Sequence, residues 1–292
     1  HTSDKIKGVK LPESMVFTVD IEDAAANADV ILMAVPSKAT RETAEKLKDF
    51  IKNQIIITVT KGIEEDTLFT QTEILEDVFG KDKHICVLSG PSHAEEVVVF
   101  KPTLVVAGSK DRQTALFVQN LFMNEYFRVY SSPDVKGIEV GAALKNVIAL
   151  AAGISDGLGC GDNAKAALIT RGIAEIKKLG VAMGGDAETF GGLSGIGDLI
   201  VTCSSIHSRN RMDGYYMGQG MTYKEAMDKV KMVVEGVYSA KAALKLSEKY
   251  GVEMPIVTMV NELLFGNLTA RDALKSLLTR MRTSESLFQD WK

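Results

Sequence analysis

The 292-residue sequence predicts an α/β domain built on a doubly wound parallel sheet, followed by an all-α domain. Three observations carry this prediction. Between residues 14 and 132, short β-rich runs alternate with helical patterns, the signature of strands joined by crossover helices. The strand runs are apolar without polar alternation, as strands buried on both faces are. From Val135 onward the strand signals fade and helical periodicity takes over. The predicted division is therefore 1–135 and 136–292.

In chain order, strands are expected at residues 16–19, 30–35, 55–60, 85–89, 104–107 and 127–130, each rich in β-branched and aromatic residues. Helical patterns separate most of them, at 40–51, 68–79 and 112–123. Beyond Val135 the helices are expected at 137–152, 163–179, 222–230, 235–250, 255–265 and 270–280. Thr222 with Glu225 fits a capping box, Pro255 a first helical turn, and Gly251 and Gly266 fit C-terminal caps. The glycine-rich stretch 157–161 follows a helix rather than a strand, so it reads as a helix connection and not as a dinucleotide loop.

Composition narrows the function. Hydrophobic residues make up 46% and charged residues 25%, which excludes a disordered chain, a collagen-like fibre and a disulfide-stapled miniprotein. The net charge of −4 argues against a surface that coats nucleic acid, while leaving local phosphate binding open. Cys86, Cys160 and Cys203 share no metal-ligand spacing and read as reduced thiols in a cytosolic setting, and the four histidines give no metal set. No run reaches the ~18 uninterrupted apolar residues of a membrane span; the most apolar candidate, 138–154, carries Glu139 and Lys145. The start has no signal-peptide h-region and no initiator Met, and reads as a processed or partial chain.

In an open α/β sheet, ligands bind beyond the carboxyl ends of the strands. Those ends carry Pro36-Ser37, Thr60-Lys61-Gly62 and Ser89-Gly90-Pro91-Ser92, small residues that let a ligand approach the main chain. Each loop is also an ordinary turn composition. Lys145 lies among apolar neighbours on every helical face, so it either snorkels to water or ends in a cleft where desolvation lowers its pKa toward a proton-transfer range. Asn146 beside it favours the cleft. Asp198, in a glycine-rich stretch, either caps a helix or pairs with a catalytic lysine. Ser208-Arg209-Asn210-Arg211 combines guanidinium forks with hydroxyl and amide donors, a phosphate-binding composition that an ordinary charged loop shares.

In order and spacing, Val35-Pro36-Ser37, Thr60-Lys61-Gly62, Leu88-Ser89-Gly90-Pro91-Ser92, Gly141-Ala142-Ala143-Leu144-Lys145-Asn146, Gly161-Asp162-Asn163-Ala164, Gly197-Asp198-Leu199 and the Ser208–Arg211 run resemble the bacterial-type NAD(P)-dependent sn-glycerol-3-phosphate dehydrogenases. The resemblance spans residues 8 to 280. It implies a Rossmann-like N-terminal domain for NAD or NADP, a helical substrate domain, and reversible hydride transfer between sn-glycerol 3-phosphate and dihydroxyacetone phosphate. It gives Lys145 the role of proton acceptor, Lys61 contact with both substrate and cofactor, and Asp198 the positioning of Lys145. Gly90 and Ser92 match substrate positions, and Ser208, Arg209 and Asn210 match the phosphate site. Pro36, Ala94, Arg209, Val233 and Glu235 match cofactor contacts, with Asn146 and Thr202 in support.

Two departures stand out. The family opens with a strand and a Gly-x-Gly-x-x-Gly turn, and this chain is expected to start beyond that unit, with NAD or NADP preference unreadable as a result. His93 replaces a usual Phe. Alternative readings are a related Rossmann-plus-helical-domain hydroxyacid dehydrogenase, and an inactive truncated copy that binds phosphorylated metabolites. The resemblance further implies a cytoplasmic enzyme of glycerophospholipid synthesis. Neither nucleic acid nor a membrane is an expected partner; the helical domain offers surface for a homodimer, of unspecified stoichiometry.

Overall fold

The structure is a computed structural model that describes residues 9–281 and residue 285. Five strands, β1 (Val30–Met33), β2 (Ile55–Thr58), β3 (Ile85–Ser89), β4 (Thr103–Gly108) and β5 (Phe127–Ser132), form one sheet in sequential order. β1, β2 and β3 run parallel, with Val30 opposite Ile55 and Ile57 opposite Cys86. The expected all-parallel arrangement breaks at the next pair: β4 is antiparallel to β3, and β5 is parallel to β4. The cause is the connection. Residues 90–102 hold only the four-residue helix α4 (Ala94–Val97), too little for the crossover a parallel neighbour needs.

The other helices of this half are α1 (Ile21–Ala25), α2 (Thr40–Leu47), α3 (Gln71–Phe79) and α5 (Arg112–Phe122). The strand expected at 16–19 is absent. Val16 and Val19 stand fully in solvent and the backbone at 16–19 is irregular, so strand propensity alone does not make a strand there. α3 starts later than expected because Leu68 has φ +62° and Thr70 forms a capping box with Glu73.

The second half comprises α6 (Val135–Gly157), α7 (Gly161–Ala182), α8 (Asp198–Ser204), α9 (Arg209–Gly218), α10 (Tyr223–Val230), α11 (Glu235–Tyr250), α12 (Pro255–Phe265) and α13 (Ala270–Leu278). α6 is its axis. It is long and apolar enough to cross a membrane by composition, yet 94% of its most apolar window is buried in the fold, wrapped by α7, α8, α9, α11 and α12. A helix apolar on all sides is a core helix in such a setting. Near its start, Glu139 is buried and accepts hydrogen bonds from the backbone N–H (2.8 Å) and hydroxyl (2.5 Å) of Thr72 at the start of α3. That carboxylate ties α6 to the sheet half and fixes how far along it Lys145 falls.

α9 lies on α6 almost backbone to backbone. A Cβ on Gly153 would come within 2.0 Å of the Arg211 carbonyl oxygen, and one on Gly214 within 2.1 Å of that of Leu150. Glycines four residues apart in both helices, Gly153 with Gly157 and Gly214 with Gly218, permit this approach, and it carries Asn210 up to Asn146. A similar economy shapes the stretch before α8. Leu193–Gly197 forms a π-helical turn in which a Gly195 Cβ would strike the Phe190 backbone, and a Gly141 Cβ would meet the Ser194 carbonyl oxygen at 2.8 Å. The turn therefore seats directly on α6 and delivers Asp198 beneath Lys145.

Candidate active site

Lys145, Asp198 and Lys61 meet in one buried centre. The Lys145 ammonium donates to Asp198 Oδ1 at 2.5 Å and to the Thr202 hydroxyl at 2.8 Å. Lys61, at the carboxyl end of β2, donates to the other oxygen, Asp198 Oδ2, at 2.7 Å and to the Gly90 carbonyl at 3.0 Å. One carboxylate thus holds two ammoniums, one from each half of the molecule. Asp198 begins α8, but its side chain faces the lysines rather than its own helix end, so pairing prevails over capping.

The electrostatics follow from burial and this pairing. Burial pushes the Lys145 ammonium down to about 8; Asp198 opposes the shift and Lys61 adds to it. Burial alone would raise Asp198, but the two lysines hold it below the ordinary carboxylate range. The outcome is an ionised acid beside a lysine able to gain or lose a proton near neutral pH. Lys145 does not snorkel: its side chain is 7% exposed.

Two further loops close on this centre. In the β3–α4 loop, Gly90 has φ +143°, a conformation that favours glycine, and the Ser92 hydroxyl donates to its carbonyl at 3.0 Å. Ala94 is exposed just beyond. At the start of α9, Ser208 is the N-cap and accepts from the Arg211 backbone N–H. Asn210 donates to the Asn146 side-chain oxygen at 2.9 Å and accepts from the Gly236 backbone N–H at 2.8 Å. Arg209 is exposed and makes no ion pair among the described residues. Arg211 departs from the expected double fork: it turns to Asp156, with NH2 at 2.7 Å from the carboxylate, which Lys165 also joins at 2.9 Å. Only one arginine of the run is left for a ligand.

Of the expected cofactor positions, Pro36, Lys61, Val233 and Glu235 lie at the β1 and β2 ends and the start of α11. Glu235 accepts from the Ser37 backbone N–H at 3.0 Å and from the Ser37 hydroxyl at 2.5 Å, next to Pro36. A Cβ on Gly62 would strike the Ser37 side chain at 2.5 Å and reach Glu235 at 3.5 Å, so only glycine fits there. Val233 is half-buried in the connection before α11. These strand-end loops, free of bulky side chains and facing a polar helix start, are a cradle that suits a dinucleotide.

Sequence reasoning missed Glu139, Ser37 and Asp213 as structural participants. Asp213 is fully buried on α9, neither carboxylate oxygen has a hydrogen-bond partner among the described residues, and burial pushes it up to about 7. Nothing in its local sequence signals this. For Glu139 a signal existed: it is the other charged residue beside Lys145 in the apolar stretch. A cavity of about 1180 Å³ lies elsewhere, between the end of α6, the α9–α10 connection and the start of α13, and none of the candidate site residues lines it.

Comparisons with known proteins point to one family. The family model described as NAD-dependent glycerol-3-phosphate dehydrogenase N-terminus matches residues 1–115, and the C-terminus model matches residues 134–275. The N-terminal match begins at the first residue, so the expectation that the N-terminal glycine-rich unit is lacking is not supported. Glycerol-3-phosphate dehydrogenase [NAD(P)+] of Agathobacter rectalis is 58% identical over 290 residues, covering 99% of this chain and 86% of that relative. The Bacillus subtilis protein of the same name is 52% identical over 98% of this chain and 84% of its own. Among solved structures, glycerol-3-phosphate dehydrogenase from Coxiella burnetii superposes with a TM-score of 0.91 at 35% identity, covering 94% of this chain and 84% of that one.

Proposed function

The chain belongs to the NAD-dependent glycerol-3-phosphate dehydrogenase family, and from that premise we propose how its residues carry out the reaction. The protein is an NAD(P)-dependent oxidoreductase acting on a CH–OH group, interconverting sn-glycerol 3-phosphate and dihydroxyacetone phosphate. Bound NAD(P) supplies the hydride acceptor or donor. Residues that would hold it are Pro36, Lys61 and Glu235 beside the strand-end cradle at Gly62, together with Ala94, Arg209 and Val233.

Lys145 takes the hydroxyl proton during oxidation and returns it to the developing alkoxide during reduction. The observation that carries this role is its burial against Asp198, with its ammonium lowered to about 8. Lys61 places a second positive charge where the carbonyl oxygen gains electron density, a preorganised electrostatic term. Asp198 positions both ammoniums, and Thr202 and Asn146 keep that end of α6 in register. Gly90 and Ser92 border the substrate, and Ser208, Arg209 and Asn210 take its phosphate, where a guanidinium fork matches the anion's geometry.

The division of labour places dinucleotide binding in residues 1–135 and substrate binding in 136–292. A cytosolic location accompanies this reading, in keeping with the free thiols of Cys86, Cys160 and Cys203. The test is oxidation of NADH or NADPH by this chain in the presence of dihydroxyacetone phosphate, compared with Lys145→Met. Turnover in the parent chain and a drop of about 10²–10⁴-fold in the variant is the expected result. Near-parental turnover by the variant would remove Lys145 from the chemistry.

A further inference from the structure

His93 carries a polar atom that the site described so far does not use. Its Nε2 is buried and has no hydrogen-bond partner among the described residues. The residue follows Ser92, whose hydroxyl shares the Gly90 carbonyl with Lys61. Across from it, the ring lies 6.2 Å from that of His207, which precedes Ser208 at the head of α9. The imidazole therefore stands between the two loops that border the substrate.

Its charge state suits an uncharged ligand group. Burial holds the ring below the usual histidine range, and the Lys145 ammonium reinforces this, while Glu95, Asp198 and a hydrogen bond to the Val201 backbone pull the other way. A neutral imidazole offers one donor and one acceptor. A buried nitrogen without a partner is costly, and a ligand hydroxyl would recover that cost. A phosphate dianion, by contrast, would draw a proton onto the ring against both burial and Lys145.

The substrate has three functional parts. Lys145 and Lys61 serve the reacting oxygen, and Ser208, Arg209 and Asn210 serve the phosphate. The free hydroxymethyl end has no partner in that assignment. We propose that His93 hydrogen-bonds this hydroxymethyl group through Nε2, and so selects the three-carbon phosphate that bears it over the analogue lacking it. The proposal rests on the placement of Lys145 and Arg209 at the two other parts of the substrate.

The test compares kcat/KM for dihydroxyacetone phosphate and for hydroxyacetone phosphate, which lacks that hydroxyl, in the parent, His93→Phe and His93→Gln. The parent is expected to prefer dihydroxyacetone phosphate by at least about tenfold, the effect of ~1.4 kcal/mol. His93→Phe is expected to lose that preference by slowing on dihydroxyacetone phosphate alone, and His93→Gln, which keeps a donor and an acceptor, to retain part of it. An unchanged ratio in His93→Phe, or equal losses on both substrates, would overturn the proposal. If His93→Phe does not fold, as judged by its thermal melting, His93→Ala carries the same expectations. Lys145→Met is measured in parallel: turnover surviving there defeats the Lys145 assignment whatever the ratio does, so the two failures are told apart.

Discussion

The two ends of the proposed substrate site are built on opposite principles. At the Lys145 end, each charge is answered: Asp198 is 2% exposed and holds Lys145 and Lys61 at 2.5 and 2.7 Å. At the α9 end, Ser208 and Asn210 are buried and already hydrogen-bonded to protein, whereas Arg209 stands in solvent without an ion pair among the described residues. The difference separates two tasks. Proton transfer needs groups fixed beforehand, because reorganising them during the reaction adds to the barrier. Capture of an anion tolerates a mobile fork that orders only once the ligand arrives.

Disrupting the fixed end gives the largest effect. Asp198→Asn leaves two ammoniums facing each other without a counter-charge, and breaking such a buried pair costs about 3–5 kcal/mol. Lost turnover together with a lowered denaturation midpoint is expected; a variant as stable and active as the parent would show that the pairing is incidental. Disrupting the exposed end is milder and falls on binding. Arg209→Ala removes a charge-assisted hydrogen bond of about 1.5–3 kcal/mol, so KM for dihydroxyacetone phosphate rises about 10–100-fold while kcat changes less. Steady-state kinetics distinguish these outcomes, and a fall confined to kcat would move Arg209 from binding to chemistry.

The smallest effect sharpens the comparison from outside the site. Asp213 is buried like Asp198, but without a partner, and lies at about 7 rather than below the ordinary range. A carboxyl raised on folding stabilises the fold below its unfolded value of 3.8 and loses that contribution as pH rises through about 7. The parent should therefore lose stability relative to Asp213→Asn between those limits, by at least about 2–4 °C in Tm, the shift 1 kcal/mol produces in a chain of this size. Parallel Tm curves for the two proteins would show that Asp213 is not held neutral.

Much of this arrangement was legible in the sequence because the informative residues break their local pattern. A lysine inside the apolar run of α6, and an acid after a glycine-rich stretch, are costly unless they meet, and they do. The caps at Thr222, Pro255 and Gly251 are local chemistry and fell where expected. What stayed hidden depends on distant neighbours. The reversal of β4 follows from the length of the connection before it, not from its own residues. Residues 16–19 have strand propensity, yet Val16 and Val19 stand in solvent and the backbone there is irregular. Arg209 and Arg211 look alike in sequence, and Asp156, some fifty residues earlier, decides which is free. Asp213 becomes exceptional only because α9 packs so closely on the core.

The account stands on Lys145 as the group that moves the proton. The direct measurement is kcat/KM in both directions across about pH 7 to 10, above the phosphate pKa of ~6 so that the substrate's own charge stays constant. Oxidation of sn-glycerol 3-phosphate needs the neutral amine and is expected to rise through about 8, while reduction of dihydroxyacetone phosphate needs the ammonium and falls through the same range. Profiles that are flat, or that move in the same direction, would contradict a lysine acid–base at this position.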